Sequence, residues 1–174
     1  TQSEHPFKGN VDLHKLQQVI EQHGAAKIPY VCIATCVNMA GGQPLSMQNL
    51  REVRELCDKY KIKIIHDSTR VAENAYFIKV REQNFADKTI AEIVREICTY
   101  TDGCTMSAKK DAMVNIGGFL AINDWDIFEK ARNMVVIYEG LHTYGGMAGR
   151  DMEAVAIGLK ESVQFDHIRA RVGQ

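Results

Sequence analysis

The sequence has no long hydrophobic run. Hydrophobic residues make up 45% of its 174 positions, but polar residues interrupt every apolar stretch well before the roughly 20 residues that a membrane-spanning helix requires. Its first ten residues, TQSEHPFKGN, lack an initiator methionine and the charged-then-apolar layout of a signal peptide. We therefore expect a soluble chain that was cut or trimmed from a longer protein.

The sequence also lacks an excess of charge of either sign. It has 21 Lys and Arg residues against 22 Asp and Glu residues, for a net charge of -1, and neither sign forms a long block. Surfaces that bind nucleic acid or anionic lipid depend on clustered positive charge. The composition therefore argues against nucleic acid and membrane as partners.

Paired cysteines are lacking too, because the five cysteines are odd in number and lie mostly in apolar stretches. This usage predicts reduced thiols in a cytoplasmic protein rather than a disulfide framework. Cys32 and Cys36 are close enough in sequence to suggest a metal pair, but no His or second Cys pair lies beside them. We do not expect a metal site there.

What the chain does contain is an alternation of helix-like and strand-like patterns. A helix is predicted from about Leu13 to His23, and Ser46 and Thr89 are predicted helix caps, the latter with Glu92 at capping-box spacing. The predicted strands are 28–36, 61–69, 103–107 and 117–123, and the later helices are 71–83, 89–100, 124–135 and 147–170. This order predicts an α/β domain with a mostly parallel sheet covered by helices.

Polar side chains follow three of these strands, at 35–38, 67–70 and 107–110. Ligands of parallel sheets gather at the carboxyl ends of the strands. Taken separately, Asp67 and Arg70 could form a salt bridge or a helix cap, and Lys109 and Lys110 could be solvated surface lysines. Taken together, the three strand ends predict one binding site.

Pyridoxal phosphate requires the groups found at these strand ends. A lysine in a partly desolvated, cationic neighbourhood can form the Schiff base, as Lys110 could. A carboxylate, here Asp67, keeps the pyridine nitrogen protonated so that the ring can accept electrons. Arg70 can face the phenolic oxygen, and Ser107 can bind the phosphate.

Five segments resemble successive blocks of the β-eliminating aromatic amino-acid lyases, the tyrosine phenol-lyase and tryptophanase family. They are NVDLHKLQQVI, VNMAGGQPLSM, HDSTRVAENAYFIK, DGCTMSAKKDAMVNIGGFL and YEGLHTYGGMAGRDMEAVAIGL, in the family's order and spacing. The resemblance implies a fold-type-I pyridoxal-phosphate enzyme. It also implies a homotetramer, with active sites between subunits, that splits an aromatic amino acid into the free arene, pyruvate and ammonia.

The resemblance assigns a role to individual residues. Lys110, the second lysine of SAKKD, matches the Schiff-base lysine, and Lys109 matches the lysine beside it. Asp67 matches the partner of the pyridine nitrogen, and Arg70 matches the arginine at the phenolic oxygen, with a catalytic role. Asn38 matches an asparagine near that oxygen and the substrate carboxylate.

Three further positions carry implied roles. Ser107 matches a phosphate ligand, and Asn115 matches a residue whose backbone carbonyl binds potassium or ammonium. Tyr144, in the YGG block near the subunit contact, matches a catalytic residue. The resemblance also implies that residues 1–174 form the central part of the large cofactor-binding domain, without the main phosphate-binding loop, the ring that stacks on the cofactor and the arginine that binds the substrate carboxylate.

Two alternatives remain open from the sequence. The segment could be a non-catalytic scaffold that binds the cofactor poorly or not at all. The substrate could be tyrosine or tryptophan, since Val37-Asn38 and Thr69-Arg70 resemble the tyrosine enzyme, whereas SAKKDAM and the Thr of TYGG resemble tryptophanases. We favour tyrosine phenol-lyase.

Overall fold

The computed structural model describes residues 4–138, 140–141 and 146–174. Within these ranges the chain alternates helices and strands as the sequence predicts. The elements are α1 (Leu13–His23), β1 (Tyr30–Ala34), α2 (Met47–Tyr60), β2 (Lys63–Asp67), α3 (Val71–Arg81), α4 (Ile90–Thr99), β3 (Gly103–Ser107), β4 (Gly118–Ile122), α5 (Trp125–Tyr138), α6 (Gly149–Ser162) and α7 (Phe165–Val172).

The four strands form one sheet in the order β1-β2-β3-β4. The first three strands are parallel, and Ala34 pairs with Asp67, which in turn pairs with Thr105. β4 is antiparallel to β3, so that Gly118 at its start pairs with Ser107. The prediction of an α/β fold with a mostly parallel sheet is confirmed, and the carboxyl ends of three strands meet at one edge.

The core lies on one face of this sheet. Ile64 and His66 of β2 are fully buried, and Ile33 of β1 pairs with His66 on the same face. The other face is more open, since Tyr30 and Cys32 are exposed. Apolar side chains of four helices cover the buried face: Leu50 and Val53 of α2, Ala75 and Ile78 of α3, Ile93 and Ile97 of α4, and Ile168 of α7. Each fully buried Ile or Leu contributes about 1.5–3 kcal/mol, so this cluster anchors the site-bearing strands.

The predicted helix starts at Ser46 and Thr89 are confirmed. The Ser46 hydroxyl accepts a hydrogen bond from the Asn49 N–H at 3.1 Å. The Thr89 hydroxyl accepts from the Glu92 N–H at 3.2 Å, while the Glu92 carboxylate accepts from the Thr89 N–H at 2.7 Å. These bonds satisfy N–H groups that the first turn of a helix leaves unpaired.

The prediction of one long helix over 147–170 is wrong. α6 ends at Ser162, whose hydroxyl donates to the Leu159 carbonyl at 2.9 Å, and Gln164 is extended with ψ 129°. α7 then begins in a new direction that buries Ile168 completely and brings the Phe165 ring to 6.0 Å from that of Tyr76. The break therefore allows α7 to pack on the core beside α3.

Three of the four predicted strands are shorter than predicted: β1, β2 (Lys63–Asp67 rather than 61–69) and β4 (Gly118–Ile122 rather than 117–123). β1 begins only at Tyr30, because Pro29 has no N–H to donate to a ladder, and it ends before Cys36, whose φ is 47°.

Across the described ranges, no helix is both long and apolar enough to cross a bilayer.

Candidate active site

A cavity of about 270 Å³ lies at the carboxyl edge of the three parallel strands. Five residues that the sequence assigns to the site line it: Asn38, Asp67, Arg70, Ser107 and Lys110. The remaining lining residues are Ala34, Thr35, Val37 and Thr69. The fold thus brings together side chains separated by up to 72 positions along the chain, from Asn38 to Lys110.

Asp67 and Arg70 occupy the turn between β2 and α3. The Asp67 carboxylate accepts a hydrogen bond from the Thr69 N–H at 3.2 Å, which holds the turn. Among the described residues, the Arg70 side chain forms no ion pair with Asp67 and makes no capping hydrogen bond to α3. Its guanidinium at the cavity is therefore available to an anionic or electron-rich ligand atom.

Ser107 and Lys110 reach the cavity from the end of β3. The Ser107 N–H donates to the Thr69 hydroxyl at 3.1 Å, which ties the ends of β2 and β3 together. The Lys110 ammonium lies 3.3 Å from the Ser107 hydroxyl and donates to it. The amine that would attach to the cofactor and the hydroxyl that would bind its phosphate are thus neighbours.

Lys110 belongs to a connection between β3 and β4 that we call the lysine loop (residues 108–117). The Ala108 N–H donates to the Gly117 carbonyl at 3.0 Å, and the Val114 N–H donates to the Ala108 carbonyl at 3.3 Å. Met113 has φ 51°, a left-handed conformation that is uncommon for a residue other than glycine. The loop is therefore a closed unit with a defined shape.

The lysine loop is attached to the rest of the fold through Asp111. The Asp111 side chain is completely buried, and burial raises the pKa of its carboxyl, although Arg171 of α7 opposes that change. Its carboxylate accepts from the Ala72 N–H at 2.6 Å and from the Glu73 N–H at 3.2 Å, in the first turn of α3. Arg171 pairs with the same carboxylate at 2.6 Å.

Two residues that the sequence assigns to the site do not line the cavity, and a third is not described by the structure. Lys109 is exposed and does not line the cavity. Asn115 is exposed in the lysine loop, also away from the cavity lining. Tyr144 lies outside the described residues.

Sequence reasoning missed Thr69, Asp111 and Arg171. Thr69 and Asp111 lie within the HDSTR and SAKKD segments, and their position beside the assigned residues was an available signal. No local signal indicated Arg171, because it lies 60 positions from Asp111 in the sequence and belongs to a separate element.

The donor set at the cavity fits pyridoxal phosphate. An amine on Lys110, a carboxylate on Asp67, a guanidinium on Arg70 and a hydroxyl on Ser107 surround a single space. A reactive aldehyde requires the amine, a pyridine nitrogen requires the carboxylate, a phenolic oxygen requires the guanidinium, and a phosphate requires the hydroxyl.

Known proteins resemble this chain in sequence and in fold. The family model described as β-eliminating lyase matches residues 1–172. A tyrosine phenol-lyase from Nostoc punctiforme is 66% identical over 173 residues, which are 99% of this chain and 37% of the relative. A tyrosine phenol-lyase from Pasteurella multocida is 60% identical over 169 residues, 97% of this chain and 37% of the relative. The chain thus spans a little over a third of the length of these curated relatives.

Two solved structures share the fold. A proposed L-allo-threonine aldolase from Listeria monocytogenes superposes with a TM-score of 0.54 at 20% identity, covering 83% of this chain and 33% of that one. A proposed aromatic amino acid β-eliminating lyase/threonine aldolase from Exiguobacterium gives a TM-score of 0.52 at 17% identity, covering 82% and 33%.

The architecture is that of the fold-type-I class, with a mostly parallel sheet and its site at the carboxyl edge. Within that class, the chain belongs to the β-eliminating lyase family.

Proposed function

We propose that the protein containing this chain is a pyridoxal-phosphate-dependent tyrosine phenol-lyase, which converts L-tyrosine into phenol, pyruvate and ammonia. The observation that carries the proposal is the convergence of Asn38, Asp67, Arg70, Ser107 and Lys110 on one cavity. The names of relatives that are 57–66% identical support the choice of reaction.

Pyridoxal phosphate, when bound, supplies an electron sink for a carbanion at the substrate's α-carbon. Lys110 would hold the cofactor through its amine and would take up the α-proton with the same amine. Asp67 would keep the pyridine nitrogen protonated, Arg70 would donate to the phenolic oxygen, and Ser107 would donate to the phosphate. Asn38, which lines the cavity, would orient the substrate carboxylate.

Three further roles complete the proposal. Lys109 contributes positive charge beside the attachment point. Tyr144 takes part in catalysis near a contact between subunits, and the backbone carbonyl of Asn115 contributes to a site for potassium or ammonium. The whole protein is proposed to act in the cytoplasm as a homotetramer.

The attachment of the cofactor to Lys110 can be tested directly. Borohydride reduction of the full-length protein with bound pyridoxal phosphate, followed by peptide mapping, should label Lys110. Lys110→Ala should abolish the label, whereas the matched variant Lys109→Ala should retain it and lose only part of the turnover. A label on Lys109 instead would show that the assignment is wrong by one residue.

The substrate is tested by supplying the full-length protein with L-tyrosine and L-tryptophan in parallel. Release of phenol and pyruvate from tyrosine, with a much lower kcat/KM for tryptophan, is the expected result. Preferential release of indole would favour the tryptophanase alternative. A protein that neither binds the cofactor nor releases pyruvate would favour the non-catalytic alternative.

A further inference from the structure

Arg171 of α7 contacts the lysine loop from a distant part of the sequence. One amino group of its guanidinium donates to the backbone carbonyl of Lys110 at 3.1 Å. The other donates to the Asp111 carboxylate at 2.6 Å and to the Glu73 carboxylate at 3.0 Å. A single planar cation therefore holds the main chain of the reactive lysine, its neighbour and the first turn of α3.

Asp111 continues this connection to the start of α3. Its second carboxylate oxygen accepts the Ala72 and Glu73 N–H groups, at the start of the helix that follows Arg70 directly. The path from Lys110 to Arg70 thus consists of the peptide link to Asp111, the hydrogen bond from the Ala72 N–H to the Asp111 carboxylate, and the two peptide links from Ala72 back to Arg70. Because the Asp111 side chain is completely buried, no water competes for these bonds.

We infer that Arg171 and Asp111 form a positioning pair that fixes Lys110 relative to Arg70. Neither side chain of the pair lines the cavity, and the pair acts through the main chain of Lys110 and Arg70, which do line it. This inference rests on the proposed function, in which Lys110 and Arg70 both bind the cofactor. Displacement of Lys110 along the loop would separate its amine from the atom to which it must attach.

The geometry requires arginine rather than any cation at position 171. Three acceptors in different directions, on Lys110, Asp111 and Glu73, are satisfied by the fixed fork of one guanidinium. A lysine ammonium is a compact charge that can neutralise Asp111 but cannot reach all three acceptors together. The Arg171→Lys variant therefore keeps the positive charge but removes the fork of hydrogen-bond donors.

Arg169 provides a matched control on the same helix. Its side chain is largely exposed and forms an ion pair with Asp166 at 3.0 Å, one turn earlier on the surface of α7. Arg169→Lys makes the same chemical change without touching the lysine loop. Differences between the two variants report on the contacts of Arg171 rather than on arginine content or helix propensity.

The experiment uses the full-length protein with Arg171→Lys, Arg171→Met, Asp111→Asn and Arg169→Lys. For each variant one measures the dissociation constant for pyridoxal phosphate, the pH titration of its visible absorbance band, and the unfolding midpoint of the cofactor-free protein. Arg171→Lys should weaken cofactor binding by roughly ten-fold or more and shift the titration midpoint, because small displacements at a reactive group have large effects. Arg169→Lys should match the wild type in all three measurements.

A double-variant comparison adds an independent criterion. If Arg171 acts through Asp111, the loss of cofactor affinity in Asp111→Asn with Arg171→Met should be clearly smaller than the product of the two single losses. If the two losses of cofactor affinity simply multiplied, the inference that Arg171 acts through Asp111 would be wrong. If Arg171→Met does not fold, Arg171→Lys and Asp111→Asn decide the question.

The outcomes separate this inference from the proposed function. Wild-type protein that carries no reducible label on Lys110 would overturn the proposed function. Wild-type protein that is labelled on Lys110, together with an Arg171→Lys variant of unchanged affinity and titration, would overturn only the positioning pair. An Arg171→Lys variant with a lower unfolding midpoint but an unchanged titration would also overturn it, since the role would then be structural.

Discussion

At the scale of single residues, His66 and Asp67 are neighbours in β2 with opposite surroundings. His66 faces the core, where its Nε2 lies 3.1 Å from the Thr35 hydroxyl and its Nδ1 has no hydrogen-bond partner among the described residues. Asp67 faces the cavity. Because side chains alternate along a strand, one strand end supplies both a neutral core residue and a site carboxylate.

His66 should make the fold sensitive to mild acid. Burial lowers the pKa of His66 from 6.5 to about 4, so that the folded state favours the uncharged ring. The unfolded chain then binds more protons between those two pH values, and the stabilisation present above pH 6.5 is lost as the pH falls toward 4. The loss attributable to His66 is on the order of 3 kcal/mol, because each pKa unit corresponds to about 1.4 kcal/mol.

Unfolding of the protein by urea across this pH range measures the effect. His66→Gln keeps a polar group near Thr35 but does not titrate, and its stability should depend less on pH than that of the wild type. His14→Gln, at an exposed position on α1, serves as the control and should follow the wild-type curve. Parallel curves for the wild type and His66→Gln would contradict the assignment.

Asp67→Ala should impair the chemical step more than cofactor binding. An unprotonated pyridine nitrogen is a weaker electron sink. Its loss of protonation raises the free energy of the transition state more than that of the bound substrate. In the full-length enzyme kcat should therefore fall sharply, with KM and cofactor affinity less affected. Full activity in Asp67→Ala would leave Asp67 as a structural residue that holds the turn through the Thr69 N–H.

At the scale of secondary-structure elements, α6 packs directly against the lysine loop. A Cβ atom at Gly158 would lie 2.1 Å from the backbone carbonyl oxygen of Ala112, which is closer than any real contact allows. Only glycine therefore permits this approach of helix to loop. The loop's position depends on α6 as well as on α7.

Gly158→Ala should destabilise the protein, although the same change in most helices stabilises it by about 1 kcal/mol. The obstacle is a backbone atom, so either α6 or the lysine loop must shift, at a cost of about 1–3 kcal/mol. Chemical denaturation gives the stability, and cofactor affinity in the full-length protein reports on the loop. Gly149→Ala, where nothing lies within 4 Å of the added Cβ, should be nearly neutral.

Elements with local signals could be predicted from sequence, and those fixed by distant contacts could not. The strand ends at Asp67 and Ser107 were recognisable because an apolar run stops at a polar group. The break between α6 and α7 was missed because Val163 and Gln164 carry no helix-breaking chemistry. Only the packing of Ile168 in the core, which no local pattern reports, determines that the chain turns there.

At the scale of the whole molecule, the apolar surface is distributed unevenly. α5, which lies wholly within the described ranges, has no buried side chain. Its Trp125 is 70% exposed and its Tyr138 is 77% exposed. Large exposed apolar patches are typical of interaction surfaces, and nearly two thirds of the length of the Nostoc punctiforme relative lies outside the part that matches this chain.

The isolated 174-residue chain should therefore neither form a stable tetramer nor respond to potassium. The remaining ligands of the proposed cation site at Asn115, and the contacts between subunits, are expected from the rest of the protein. Light scattering in potassium and then in sodium, with and without pyridoxal phosphate, gives the mass under each condition. If this chain alone formed a potassium-dependent tetramer, the expectation that the rest of the protein supplies the other cation ligands and the subunit contacts would be wrong.

The closed lysine loop also bears on the order in which the site is assembled during synthesis. β3 and β4 flank a short connection, so this hairpin can form as soon as both strands have left the ribosome. Arg171 emerges about fifty residues later, and until then buried Asp111 has no guanidinium to balance its charge. The nascent chain would therefore acquire its lysine early but fix that lysine's position only when α7 docks, so that, under the proposed function, cofactor attachment would be a late event in biogenesis.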